Sequence, residues 1–309
     1  MTDMRHIEAG SVSWFLSTAR ERLTRLLDQG SFTEFLPPTE RVQSPHLALF
    51  DLPAAFDDGM IVGRGRLEGR DVLVAGQEGQ FMGGTFAEVS GAKLVGLLRA
   101  ARDDAKLPRT VLLLLDSGGV RLQEANAGEL AVAEVMRAIV EARAAGVAVI
   151  ALVGGRAGAF GGAGLTAATC SAIAISEQGR TGVTGPEVIE TNKGVEEFDS
   201  QDKALVWSVT GGRTRRLIGG ADAYVDDSIA GFRGAALALM DRAPTFDLAT
   251  LKAEQARLAV RAERLGACNA STEMWATLGV PDPQAIGNMD DNAFRAVVAG
   301  VEGTDHDAR

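Results

Sequence analysis

The sequence predicts an α/β domain with parallel strands, and three observations carry that prediction. Two continuous apolar runs, TVLLLL at 110–115 and VAVIALV at 147–153, have the character of strands buried on both faces. Each is followed by a glycine-rich loop and then by a helical segment, the alternation of parallel α/β units. Glycine reaches 37 of 309 residues, where an average composition supplies about 22, so close backbone approaches are expected.

Along the chain, residues 11–30 place Leu16, Leu23, Leu26 and Leu27 at helical spacing, with Gly30 as a stop, and predict one amphipathic helix. The stretch SPHLALFDLPAAFDDG reads as irregular connection, so the main domain is expected to begin near Met60. Residues 61–67 and 71–77 form a β-hairpin across Glu68-Gly69-Arg70, which feeds the pair Gly83-Gly84. A helix over 90–105, the strand 110–115, a helix over 129–145 and the strand 147–153 come next. The unit repeats as a glycine loop at 154–164, a short helix at 165–169 and a strand at 171–176. Ligands are expected at the loops outside the strand carboxyl ends. Beyond Glu177 the pattern weakens, and the charged amphipathic helix 251–265 reads equally as a solvated face or a partner-facing one.

A formal charge of −10 without a long basic run argues against nucleic acid and against an anionic membrane surface. The longest apolar stretch, 147–165, is interrupted by Arg156 and by glycines, so no membrane span or signal peptide is expected. Cys170 and Cys268 form no CxxC pair, which removes a zinc ribbon or disulfide framework and fits a reducing cytoplasm. His6, His46 and His306 leave residues 47–305 without an imidazole. A Ser-His-Asp triad, a His-ligated metal or a His base would therefore stand far in sequence from every glycine loop.

Three motifs remain. In Asp116-Ser117-Gly118-Gly119-Val120-Arg121-Leu122-Gln123-Glu124, small residues let backbone N–H groups point at an anion ahead of a helix N-terminus. A tight strand-to-helix turn is the competing reading. The second loop spans Gly154 to Gly164 and holds Arg156, Gly161 and Gly162, so its amides can meet those of the first on one ligand. Gly162, Gly164 and Ala167 match a dinucleotide GxGxxA, but Gly162 comes nine residues after Val153, too late for the tight turn that motif needs. The third, TGVTGPEVI with Gly185, reads alone as a surface turn. Without GxSxG, a P-loop or HExxH, fixed amides are the leading means of catalysis.

ARERLTRLLDQGSFTEF, GQFMGGTFAEVSGAKL, DSGGVRLQEA, the Gly161-Gly162 pair and TGPEVI together resemble, in order, the carboxyltransferase branch of the crotonase superfamily. GVEEFDSQDKALVWSVTGGRTRRLIGGADAYVDD resembles malonate decarboxylase β subunits in particular. The resemblance implies a crotonase-like ββα superhelix over 11–245, with its N-terminal helix, and a C-terminal helical extension over 246–309. It implies a half-enzyme completed by a crotonase-like γ subunit, acting on a malonyl thioester borne on an acyl carrier protein and recharged by an acyl-carrier transferase subunit. The thioester is expected on a dephospho-CoA-like prosthetic group or CoA, with no biotin and no metal. A four-cysteine zinc ribbon, as in bacterial acetyl-CoA carboxylase β subunits, is missing here.

Loss of CO2 from a malonyl thioester needs no base to remove a carbon-bound proton, which suits a chain without central histidines. It needs donors for the enolate oxygen, each worth about 2.7–4 kcal/mol. The resemblance assigns that oxygen to the Gly161 and Gly162 amides, with Gly118, Gly119 and Val120 lining the opposite wall or holding a second polar group. Gly83 and Gly84 are expected to let the pantetheine arm pass, and Gly185 to border it. Arg156, Lys193, Arg213, Arg215 and Arg216 are candidates for prosthetic-group phosphates or are simply solvated. Gln123 and Glu124 either cap a helix or take part in the chemistry. A bulky side chain at Gly162 is expected to stop turnover and spare the fold. The alternatives are a biotin-dependent carboxyltransferase subunit and a non-catalytic scaffold of the same fold.

Overall fold

The computed structural model describes residues 12–40, 44–51, 58–242 and 245–304. His6 and His306 lie outside the described residues. Seven strands form one sheet in the order β1 (Thr33–Phe35), β2 (Met60–Leu67), β3 (Arg70–Gln77), β4 (Thr110–Leu115), β5 (Ala148–Val153), β7 (Ala172–Ser176) and β9 (Ala223–Val225). A separate parallel pair joins β6 (Ala159–Phe160) to β8 (Thr181–Gly182). From β1 to β3 the pairing is antiparallel, and from β3 onward it is parallel.

Strand alternation sorts the TVLLLL run between two cores. Val111, Leu113 and Leu115 join the cluster under α2 (Glu88–Asp103) and α3 (Asn126–Ala144). Leu112 and Leu114 face the cluster containing α1 (Ala19–Leu26) and α8 (Ile229–Met240), where Trp14 stacks on Phe232 at 4.1 Å between centroids. The fold therefore rests on a sheet buried on both faces, which leaves the loops at the strand ends as the open backbone.

The N-terminal helix is shorter than its apolar spacing predicts. It starts only at Ala19, behind a Thr18–Glu21 capping box. Asp227 holds the preceding turn by accepting from Ser13 Oγ (2.5 Å) and the Phe15 amide (2.8 Å), which seats Trp14 in the core. The helix ends at Leu26 because the Asp28 amide donates to the Arg66 carbonyl at 2.7 Å, drawing the chain to the sheet. The Asp28 carboxylate accepts the Glu68 and Gly69 amides of the β2–β3 turn, at 3.0 and 2.8 Å. The domain thus begins ahead of Met60: α1 and β1 already belong to it.

After β8 come α5 (Pro186–Lys193), α6 (Lys203–Thr210) and α7 (Gly212–Leu217), and β9, a short strand whose sequence gives little alternation. The C-terminal segment holds α9 (Leu248–Leu265), α10 (Ser271–Thr277) and α11 (Asp291–Thr304). Leu265, Trp275, Ile286 and Phe294 build a third core against Leu217 of α7. Along α9 only Leu265 is buried, while Leu248, Leu251 and Val260 are exposed. No helix among the described residues is long and apolar enough to cross a membrane.

Candidate active site

The site begins where β4 stops. Asp116, the next residue, is 3% exposed, and its carboxylate accepts Arg22 Nη1 of α1 and the Ala157 amide, both at 2.7 Å. Arg22 Nε donates to the Trp14 carbonyl at 2.8 Å. One buried carboxylate therefore ties α1, the first glycine turn and the second. Gly155 is required for this approach, since a Cβ there would stand 2.1 Å from Asp116 Cγ.

From Asp116 the two turns run alongside each other. The Ser117 amide donates to the Gly158 carbonyl at 2.6 Å, and the Phe160 amide donates back to the Ser117 carbonyl at 3.0 Å. Gly119 (φ 128°) and Gly161 (φ 54°) then meet: a Cβ on Gly161 would stand 3.5 Å from Gly119 Cα. Gly161 precedes α4 (Gly162–Thr169), whose first helical bond runs from the Leu165 amide to the Gly161 carbonyl at 3.0 Å. The amides of Gly162, Ala163 and Gly164 consequently have no partner within the helix. The positive end of the helix dipole adds to their pull on an anion.

The first turn contributes differently. The Gly118 amide donates to the Gly83 carbonyl (2.9 Å) and the Gly119 amide to Ser117 Oγ (3.1 Å). These two amides are occupied, so they cannot supply a second polar group; Gly118 and Gly119 are left as the wall facing Gly161. Val120 packs on the core, where a Cβ on Gly128 would meet its Cγ1 at 2.7 Å.

Gly83 is exposed and bound to Gly118, at the edge of the same turn. At Gly84 a Cβ would stand 1.8 Å from the Asp116 carbonyl oxygen, so this glycine is required for the loop to close on the first turn. Gly162 corrects an expectation. Its Cβ would meet Val132 Cγ2 of α3 at 2.5 Å, so a side chain there disturbs the α3–α4 packing as well as the site.

Gly185 lies at the N-terminus of α5, and no hydrogen bond among the described residues links it to either turn. Arg156 is exposed on the second loop, 5.6 Å from the Phe15 ring, and its carbonyl accepts Arg180 Nη2. Lys193 pairs with Glu197 at 2.7 Å on the surface. Arg213 is occupied inside the protein: it pairs with Glu177 at 2.7 Å and donates to the Ile286 and Met289 carbonyls at 2.5 and 2.6 Å, fastening the C-terminal segment. It is therefore not available to a phosphate.

Glu124 is buried against Arg121 at 3.0 Å and accepts the Glu88 amide at 2.9 Å, so it caps α2 rather than the helix that follows it. Arg121 Nη2 also donates to the Asp58 carbonyl at 3.2 Å. Sequence reasoning read DSGGVRLQE for its glycines, allowed Glu124 a capping role, and missed that Asp116 and Arg121 are buried charges holding the turns with it. The signal was present, as three charged residues in a segment immediately after an all-apolar strand. His46 pairs with Glu88, at the N-terminal end of α2. Among the described residues no group of three or more His, Cys, Asp or Glu is placed to hold a metal ion.

Two glycine turns thus meet at the ends of the adjacent parallel strands β4 and β5. Residues 16–210 match the carboxyl transferase domain, and the chain belongs to that family. Within it the likeness is to malonate-acting members. The chain is 38% identical to malonyl-S-ACP:biotin-protein carboxyltransferase MADC of Malonomonas rubra, over 92% of this chain and 95% of that one. A Pseudomonas malonate decarboxylase hetero-tetramer, solved with malonate, contains a chain 40% identical, with a TM-score of 0.75 over 84% of this chain and 92% of that one. The Pseudomonas malonate decarboxylase hetero-dimer gives 36% identity and a TM-score of 0.64, over 82% and 96%.

Proposed function

We propose that this chain is the β subunit of a malonate decarboxylase that works without biotin. With a crotonase-like γ subunit it converts malonyl-S-acyl carrier protein to acetyl-S-acyl carrier protein and CO2. The observation that carries the reading is the junction of the Gly119 and Gly161 turns at the start of α4, where three amides lack helical partners. In the reaction the bond between the α carbon and the carboxylate breaks. Its electron pair passes to the α carbon and the thioester oxygen, CO2 leaves, and a proton from water or the γ subunit completes the acetyl group. The Gly161–Gly162 amides hold the enolate oxygen, while Gly118, Gly119 and Val120 form the facing wall. The thioester is carried on a dephospho-CoA-like prosthetic group, or on CoA, as substrate.

Support for a partner comes from the borders of the site. Leu122, Leu130, Val183 and Val188 are all more than half exposed on the elements that flank the turns, a concentration suited to burial by another chain. The acyl carrier protein and an acyl-carrier transferase subunit complete the expected assembly. A second reading is favoured by the Malonomonas relative, whose name has the carboxyl group passing to a biotin protein. The purified complex given a malonyl thioester with excess avidin separates them. Steady CO2 release supports the decarboxylase; no release under avidin, with the malonyl carboxyl group appearing on an added biotin protein once avidin is left out, supports the carboxyltransferase.

A further inference from the structure

Buried guanidinium groups in this chain stand beside acids: Arg22 with Asp116, Arg121 with Glu124, Arg213 with Glu177. Half-buried Arg180 and Arg215 break the pattern, as does Arg143 near the C-terminal end of α3. Neither Arg180 nor Arg215 forms an ion pair among the described residues, and the Nε of each is buried without a hydrogen-bond partner. Burial holds both below the usual arginine range, and for Arg215 the neighbouring charge of Arg261 adds to the effect. Glu187 and Asp116 partly offset the charge of Arg180, whereas Arg215 has no such acid beside it; a cation in partly dry surroundings is unfavourable unless an anion joins it.

Both point to one place. Gly182 of β8 pairs with Phe160 of β6, the residue before the Gly161–Gly162 turn. A Cβ on Gly182 would lie 3.6 Å from Arg215 Nη2 and 3.6 Å from the Phe160 ring, so the missing side chain leaves a notch between cation and ring. Arg180 Cζ lies 5.8 Å from the centre of the same ring and 4.5 Å from that of Trp207.

We propose that Arg180 and Arg215, at the Gly182 notch, form the subsite for the free carboxylate of the malonyl group. The inference rests on the decarboxylase reading. In a malonyl thioester the carboxylate is two bonds from the thioester carbon, whereas the nearest phosphate lies at the far end of the pantetheine arm. A cation one strand away from the amide turn therefore suits the carboxylate. The contact vanishes with CO2, so it strengthens substrate binding without stabilising the enolate, and the acetyl product is released from a site that no longer holds it.

The test uses the complex with its γ subunit and compares binding of malonyl-CoA and acetyl-CoA. The wild type is expected to prefer malonyl-CoA. Arg215→Gln and Arg180→Gln should each reduce that preference about tenfold to a hundredfold, leave acetyl-CoA affinity unchanged, and raise the malonyl KM without lowering kcat. Gly182→Ala guards against misfolding, because its methyl meets its neighbours only at ordinary contact distance while filling the notch, and it should weaken the preference too. A preference intact in all three variants overturns the proposal. An equal loss for both thioesters also overturns it and points to a phosphate, which both carry. A wild-type complex that binds malonyl-CoA selectively but releases no CO2 would defeat the decarboxylase reading and leave the subsite standing.

Discussion

Replacing Asp116 by alanine removes the one carboxylate that joins α1 to both glycine turns. Arg22, 2% exposed, would keep its Nε bond to the Trp14 carbonyl and its place 5.7 Å from the Trp14 ring, but its charge would have no counterion. Breaking a buried pair from one side costs about 3–5 kcal/mol, a large share of the roughly 5–15 kcal/mol that holds a domain folded. The Ala157 amide loses its acceptor in the same step, so the two losses overlap and do not add. Asparagine fits the space, which Gly79 and Gly155 leave open by lacking side chains, yet its amide group turns a donor toward Arg22 or Ala157. Both variants should unfold in urea at a lower midpoint, followed by tryptophan fluorescence. The double variant Arg22→Met with Asp116→Ala should be more stable than the sum of the single losses by more than about 1 kcal/mol, because the orphaned charge is gone. Single losses below about 1 kcal/mol, or strict additivity, would refute the claim that this pair fastens the site.

Three further outcomes follow from particular residues. Asp28 is held down to about 2, first by its hydrogen bond from Arg233 and then by the Gly69 amide. A folded pKa below the ordinary 3.8 gives stability that is present above that value and lost as the pH falls toward 2. Asp28→Asn should therefore flatten the acid limb of an unfolding curve in that window and change its slope little at neutral pH. Cys170 is buried and its thiol pushed up to about 12, so iodoacetamide at pH 8 should label Cys268 alone in the folded chain and both after unfolding, as read by mass spectrometry. Gly162→Ala should cost about 1–3 kcal/mol through overpacking, and Val132→Ala on α3 should recover part of that loss in thermal melts, since Val132 Cγ2 is the atom met at 2.5 Å.

The repeated strand, glycine loop and helix were legible because apolar runs such as TVLLLL have one physical use, a strand between two cores. The antiparallel hairpin was legible from Glu68-Gly69, both of which adopt positive φ at its turn. Helix α1 was overestimated because Leu16 continues the apolar spacing, while the residue that ends the helical register upstream, Asp227, is distant in sequence and acts only through the fold. Strand β9 carried too few residues for alternation to register. In the site, the meeting of the glycine turns was readable, but the division of labour between them was not. Which amides stay available depends on Gly83 and Ser117 as acceptors, and that pairing is set by how the Gly83-Gly84 loop closes on Asp116. Likewise Arg213 and Arg215 look alike in GGRTRR, and only packing separates a cation held by Glu177 and by the Ile286 and Met289 carbonyls from one whose Nε has no partner.

The role given to the start of α4 can be tested by exchanging the Gly162 amide N–H for an ester oxygen, which adds no atom against Val132 and breaks no helical bond. If that N–H holds the enolate oxygen, CO2 release from a malonyl thioester by the complex should fall about 10²–10³-fold in kcat with the fold unaltered. Turnover equal to that of the all-amide chain would contradict the account.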